Sequence, residues 1–274
     1  MSKQKMWVTD LDGTLLNNNE MLPVQLEEAI THIPNTTIKV VATGRNLEKV
    51  KRVLPDMKLF DYIIFSSGAG IYHPKTQEII QANNLSSSIT QPLFECLNQK
   101  KQNFIFSKAI PFNAAINYKK NYPCNHFDIY INAHQKELDL QLNPSIQDLA
   151  QFMIFIPNHK DLIERLTKEI NSLSNELQVI RATSPIDSEY CWLEIFSKAV
   201  SKGKAVNFLS KKLSIDMKEI IGVGNDYNDL DFLSIIGNPY VVRNSPEPLK
   251  SRFDVVSSNN DMGVLEVLKK HGIA

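Results

Sequence analysis

The stretch Trp7-Val-Thr-Asp10-Leu-Asp12-Gly-Thr-Leu-Leu16 limits what this chain can fold into more than any other. Met6, Trp7 and Val8 suit a buried strand, and Leu15 and Leu16 resume apolar packing beyond a turn. Gly13 lets the backbone leave a sheet sharply, with Asp10 and Asp12 flanking Leu11 at the exit. In an open α/β sheet, ligands bind outside the carboxyl ends of the strands. An Asp-x-Asp-Gly alone is as readily a plain turn capped by Thr14, so the rest of the chain must decide between turn and site.

The following segments repeat one rhythm. Leu22, Leu26, Ala29, Ile30 and Ile33 lie near helical spacing, and Ile38–Ala42 then reads as a strand ending on Thr43-Gly44-Arg45. A helix with Leu47, Val50, Val53 and Leu54 stops before Pro55, and Tyr62–Phe65 is a short buried strand closing on Ser66-Ser67-Gly68-Ala69-Gly70. Strands alternating with helices predict a parallel sheet covered on both faces. Near residue 85 the rhythm changes. Phe104–Phe106, His126–Ile131, Gln151–Ile156, Leu177–Ile180 and Cys191–Phe196 read as strands, with helices at about 90–100 and 159–173. From 198 the first rhythm returns, with a helix opened by Ser201-Lys202-Gly203-Lys204, a strand at 219–223, short strands at 240–242 and 254–256, and a helix at 263–271. The expected fold is α/β: a Rossmann-like doubly wound parallel sheet core at 1–83 and 191–274, with an α+β unit inserted at 84–190.

Charge narrows the function. Lys+Arg and Asp+Glu each total 30, a formal net charge of zero, which argues against nucleic acid or an anionic membrane as the main partner. Cys96, Cys124 and Cys191 are odd in number and far apart, so they indicate neither a disulfide framework nor a zinc knuckle, and a reducing compartment is the simplest reading. The first residues run straight into a strand, without room for a signal peptide, and the longest apolar run, near 149–156, is far too short to span a bilayer. The expectation is a cytoplasmic protein, monomeric or a small homo-oligomer.

Three further clusters carry chemistry. Thr43 ends a strand and reads as the start of a helix, where it is either an N-cap or, with Gly44 and free N–H groups, part of an anion site. Arg45 reaches a phosphate or merely solvent. Lys202 and Lys204 flank Gly203 at a helix start, where a lysine opposes the helix dipole, so a nearby phosphate and carboxylate would explain one of them. Gly224-Asn225-Asp226-Tyr227-Asn228-Asp229 is too acidic to be explained by helix capping alone. Two like charges at about 4 Å repel by roughly 4 kcal/mol at an effective dielectric near 20. Converging carboxylates therefore need a counter-charge or protons, and oxygen ligands of this kind suit magnesium.

In order, Asp-x-Asp-Gly-Thr, strand-Thr, helix-start Lys and an acidic loop resemble the haloacid dehalogenase-like hydrolases, in particular their Cof-type sugar-phosphate phosphatase branch with a C2 (type IIB) cap. The Leu193-Glu194-Ile195 strand before Ser-Lys-Gly and Asn244-Ser-Pro-Glu-Pro-Leu-Lys250 support the resemblance, which spans essentially the whole chain. The family places Lys directly before Gly, which favours Lys202 with Lys204 in reserve. The resemblance implies a magnesium-dependent phosphatase acting on a small phosphorylated metabolite. Asp10 would be the nucleophile and Asp12 the acid and base, with Thr43 and Lys202 on the phosphoryl oxygens. Gly44, Arg45 and Asn228 would be further phosphate or substrate contacts. Asp10, Asp12 (through its backbone carbonyl), Asn225 or Asp226, and Asp229 would surround the metal, Asp229 usually orienting the site. The inserted unit would be a lid governing specificity, with Tyr118, Tyr122, His126, Asp128 and Arg181 as candidate contacts. His73, His134 and His159 show no metal-ligand spacing.

Two positions depart from the family pattern. Asn225 stands where the family's first loop Asp binds metal, and Ser66-Ser67-Gly68 stands where Ser-Asn-Gly is usual. Alternatives are a phosphosugar mutase of the same superfamily, or a metabolite-binding protein with weak turnover, which only Asn225 favours.

Overall fold

The computed structural model describes residues 4–145, 147–184 and 186–273. The chain divides into two compact units, Met1–Gln81 with Ser201–Ala274, and Ala82–Val200. The first unit begins with β1 (Lys5–Thr9), α1 (Val24–His32), β2 (Thr37–Ala42), α2 (Leu47–Val53), β3 (Tyr62–Phe65), β4 (Gly70–His73) and β5 (Glu78–Ala82). The second contains α3 (Ser87–Gln99), β6 (Phe104–Lys108), β7 (Ile116–Lys119), α4 (Asn125–Ala133), β8 (Leu149–Pro157), α5 (Lys160–Leu173), β9 (Leu177–Thr183) and β10 (Tyr190–Ser197). The chain then completes the first unit with α6 (Lys202–Leu213), β11 (Ile220–Gly224), α7 (Leu230–Leu233), β12 (Asn238–Val242), α8 (Glu247–Lys250), β13 (Asp254–Val256) and α9 (Gly263–Lys270).

The first unit is built on an eight-stranded sheet in the order β13-β12-β11-β1-β2-β3-β4-β5. Every pairing from β13 to β3 is parallel, and β4 turns back antiparallel on β3. This is the α/β sheet expected from the sequence, with β4 and β5 as additions that the short segments after Gly68 did not reveal. Successive strand residues face opposite sides. Met6, Val8, Val40 and Ala42 thus share a core with Ala205, Val206 and Leu209 of α6 and Phe232 and Leu233 of α7.

Register places the site. β1 lies between β11 and β2, with Thr9 level with Val223 on one side and Val41 on the other. All three strands run the same way, so their carboxyl ends finish together. Asp10, Thr43 and Asn225, each one or two residues past those partners, emerge along one sheet edge.

The second unit has a five-stranded sheet, β7-β6-β8-β10-β9, antiparallel at every pairing. Alternate residues of β8 serve opposite faces. Phe152, Ile154 and Ile156 pack with Leu93 and Leu97 of α3 and Leu166 and Ile170 of α5, whereas Met153 and Phe155 pack with Phe127, Tyr130 and Ile131 of α4. Two expectations need correction. His126–Ile131 is not a strand but part of α4: its buried residues, His126, Phe127, Tyr130 and Ile131, recur one turn apart, which is helical spacing. The return to the parallel sheet comes after Val200 rather than at 191, because β10 pairs on both sides with strands of the second sheet.

Candidate active site

Asp10 leaves the central strand with its backbone N–H still bonded to Val223, and its carboxylate is almost fully buried. The next residues fold into one tight turn, with Gly13 at φ +67°, a conformation that favours glycine. Asn244 Nδ2 donates to Gly13 O at 2.8 Å, and Asn259 Nδ2 donates to Leu16 O at 3.0 Å, so two side chains from the far end of the chain hold this turn. Thr14 does not cap it: its Oγ1 is buried without a hydrogen-bond partner among the described residues.

Lys202 opens α6 and is 1% exposed. Its Nζ donates to Asp10 Oδ1 at 2.7 Å and Asp229 Oδ1 at 2.6 Å, with Asn228 Oδ1 at 3.4 Å. The unfavourable placement of a cation at this helix start is offset by the two carboxylates, and by Asp231 Oδ2, which accepts from Gly203 N at 2.8 Å. Lys204, the alternative, is exposed on the same turn, and its backbone N–H bonds to the Ser201 cap.

Asp229 has little capacity left for an ion. Oδ1 takes Lys202, while Oδ2 accepts the backbone N–H groups of Asn225 at 2.8 Å and Asp226 at 3.0 Å. Asp226 in turn caps the turn that begins at Tyr227, closing a reciprocal capping box with Asp229. The acidic loop is therefore held rigid by its own carboxylates.

Electrostatics follow from burial. Burial, reinforced by the charge of Asp229, pushes the Asp10 carboxyl from 3.8 up to about 7, against the pull of Lys202. Burial also pushes Asp229 up, opposed by Lys202 and the two backbone donors. Burial works against the charge on Lys202, yet Asp10 and Asp229 outweigh it and hold the ammonium above the ordinary lysine range. A buried group with two acids and one base still lacks a positive charge when both acids are ionised.

Thr43 is fully buried, and its Oγ1 accepts from Arg45 N at 3.1 Å. It is not the helix cap: Asn46 is, with Oδ1 accepting from Lys49 N at 2.9 Å, so α2 is capped three residues later than the sequence reading placed it. Arg45 accordingly lies in the loop before the helix. Its guanidinium engages Asp12 through Nε and Nη2 and Glu20 through Nη2. Asn228 lies toward this loop: its Nδ2 would be 3.8 Å from a Cβ placed on Gly44. Ser66 and Ser67 both adopt left-handed backbone, at φ +48° and +56°. Asn tolerates that conformation better than Ser does, which gives the departure at Ser67 its physical meaning.

The donor set for a cation is all oxygen. Among the described residues, no group of three or more His, Cys, Asp or Glu stands in a metal-holding arrangement. A magnesium ion does not require one, since it takes one or two carboxylates and completes its shell with waters and substrate phosphate. Asp10 offers one such carboxylate, with its Oδ1 on Lys202. Of the two loop candidates, Asp226 is engaged in capping, whereas Asn225 packs on the first turn, its Nδ2 2.5 Å from where a Gly13 Cβ would stand. Glu20, Asn244 and Asn259 had not been singled out for roles at this site. Asn244 opened a stretch that supported the resemblance, but its contact with Gly13, like those of Glu20 and Asn259, is made at long range.

Strand-end aspartates, a buried lysine and a self-capped acidic loop stand together at the carboxyl edge of a parallel sheet, where open α/β sheets bind ligands. Residues 7–268 match the model of the haloacid dehalogenase-like hydrolases, and the chain belongs to that family. The YxeH protein of Bacillus subtilis is 26% identical over 275 residues, covering 96% of this chain and 97% of its own length. A second B. subtilis protein, the 5-amino-6-(5-phospho-D-ribitylamino)uracil phosphatase YwtE, is 24% identical over 278 residues, 92% of each chain. The solved structure of BT4131, a subclass IIB sugar phosphatase, superposes with a TM-score of 0.76 at 18% identity over 98% of this chain and all of that one. The chain is an enzyme, a haloacid dehalogenase-like hydrolase. No helix among the described residues is long and apolar enough to cross a membrane.

Proposed function

We propose that the protein hydrolyses a small phosphorylated metabolite, a sugar phosphate or a close relative, through a covalent phosphoryl group on Asp10. The observation that carries this reading is the buried Lys202 Nζ held between Asp10 and Asp229. A fully buried ammonium fixed against one carboxylate oxygen orients that carboxylate and draws phosphoryl oxygens toward it.

In the first step an Asp10 oxygen attacks phosphorus and the bond to the leaving oxygen breaks, while Asp12 gives that oxygen its proton. In the second, Asp12 takes a proton from water, the water oxygen attacks phosphorus, and the Asp10 carboxylate leaves. Thr43, the Gly44 backbone, Asn228 and Lys202 would hold the phosphoryl oxygens in both steps. Magnesium, bound by Asp10, the Asp12 carbonyl and the Asn225 amide oxygen, would supply the positive charge that the buried cluster lacks. Asp229 acts by fixing Lys202 and the loop rather than as a ligand. We assign substrate choice to the unit Ala82–Val200 and the reaction to the other.

The test is phosphate release from p-nitrophenyl phosphate and a panel of sugar phosphates, with magnesium or with EDTA. Turnover should require the metal and vanish in Asp10→Asn. Equal release by wild type and Asp10→Asn would sink the reading.

A further inference from the structure

The grip of Arg45 on Asp12 is more specific than a phosphate contact requires. Nε lies 3.0 Å from Oδ1 and 2.9 Å from Oδ2 of Asp12, and Nη2 lies 2.6 Å from Oδ1. The same Nη2 donates to Glu20 Oε1 at 2.8 Å. Glu20 sits in a turn that runs against its backbone preference: its φ is +57°, where a side chain is disfavoured. The turn is imposed from outside the residue, with Asn17 Oδ1 accepting from Asn19 N and Met21 N, and Glu20 N bonded to Asn17 O. A glycine would relax this position. The chain instead holds a glutamate there, and its carboxylate reaches the guanidinium that grips Asp12. Strained residues of this kind are retained where the surroundings demand their side chain.

We propose that Arg45 is a positioning residue for Asp12, not a phosphate ligand, and that Glu20 anchors Arg45. This rests on the reading of Asp12 as the group that protonates the leaving oxygen. Asp12 is nearly half exposed and would otherwise sample several rotamers. A proton donor must lie within hydrogen-bond reach of its target. The planar fork of a guanidinium fixes both oxygens of a carboxylate, which an ammonium cannot do. Glu20 removes the remaining freedom of the long Arg45 side chain by holding its far end.

Leaving-group dependence separates this role from simple binding or scaffolding. Phenyl and p-nitrophenyl phosphate have nearly the same shape, but only the phenolate of the first is basic enough to need a well-placed acid. In Arg45→Ala, kcat/KM for phenyl phosphate should fall about 100-fold, the low end of general-acid contributions, and that for p-nitrophenyl phosphate less than about fivefold. Arg45→Lys should fall between wild type and Arg45→Ala on phenyl phosphate. Glu20→Gln should lose about fivefold on phenyl phosphate alone, as befits an exposed partner. Inhibition by tungstate, which reports the phosphate pocket, should stay within about twofold throughout. Equal losses on both esters, or tungstate binding that weakens in step with turnover, would overturn the proposal while leaving the phosphatase reading intact. A wild type inert toward both esters would overturn that reading and the proposal with it.

Discussion

Lys202 Nζ and Asp10 Oδ1 meet at 2.7 Å inside the protein, although 192 positions separate them in the chain. Only the sheet makes this contact: β1 and β11 are parallel neighbours, and the helix that opens on Lys202 packs over them. Removing the ammonium leaves the buried Asp10 and Asp229 without their shared counter-charge. Lys202→Met should therefore lose activity and also about 3–5 kcal/mol of stability, the usual cost of orphaning a buried charge. Adding Asp229→Asn to Lys202→Met should recover part of the stability and none of the activity. Urea unfolding of the single and double variants checks both statements.

Asp10 also gives a pH signature. Its folded-state pKa, about 7, lies above the 3.8 of an ordinary aspartate, so the folded state holds the proton more tightly than the unfolded chain does. The stability it contributes is complete below about pH 4 and is lost as pH rises through about 7. Asp229 is shifted in the same direction, while the raised Lys202 keeps its charge throughout this window. With divalent cations chelated, denaturant stability should fall across that interval, and Asp10→Asn should flatten most of the fall. A magnesium titration should restore stability at the upper end, where Asp10 is ionised.

Asn225 and Asp226 make opposite predictions. Asn225 packs on the Gly13 turn, whereas Asp226 caps its own loop. Asn225→Asp should lower the magnesium concentration for half activity by about tenfold, since a carboxylate binds this ion better than an amide. It should also destabilise the metal-free protein by adding like charge. Asp226→Ala should cost about 1 kcal/mol through the cap and change the magnesium requirement little. The reverse pattern in an activity titration would assign the ion to Asp226.

The Gly13 turn tolerates little else. Gly13→Ala combines a left-handed backbone with a Cβ 2.5 Å from Asn225 Nδ2. It should cost about 1–3 kcal/mol in thermal or urea unfolding, and it should raise the magnesium requirement by displacing Asn225.

What the sequence made legible was local. The apolar run of β1, the glycine after Asp12 and the acidic loop at the end of β11 each carry their signal within ten residues, and the parallel sheet follows from their alternation with helices. The helix α4 was misread because six residues rich in Phe, Ile and Tyr fit a strand as well as a turn and a half of helix, and only burial separates the two. Thr43 was read as the start of a helix that in fact waits for the cap at Asn46. The contacts that support the first turn were unreadable for another reason. Arg45 lies 33 positions from Asp12, Asn244 231 from Gly13, and Asn259 243 from Leu16. Polar side chains in loops look alike until the fold brings them to their partners.

The central claim is a covalent bond between Asp10 and phosphorus, and it can be read chemically. The enzyme would be mixed briefly with p-nitrophenyl phosphate and magnesium, quenched in acid, and reduced with borohydride, which converts an acyl phosphate to an alcohol. Peptide mass spectrometry should then find homoserine at position 10 and aspartate at positions 12, 226 and 229. Turnover with unmodified aspartate at position 10, or with reduction at another carboxylate, would contradict the account.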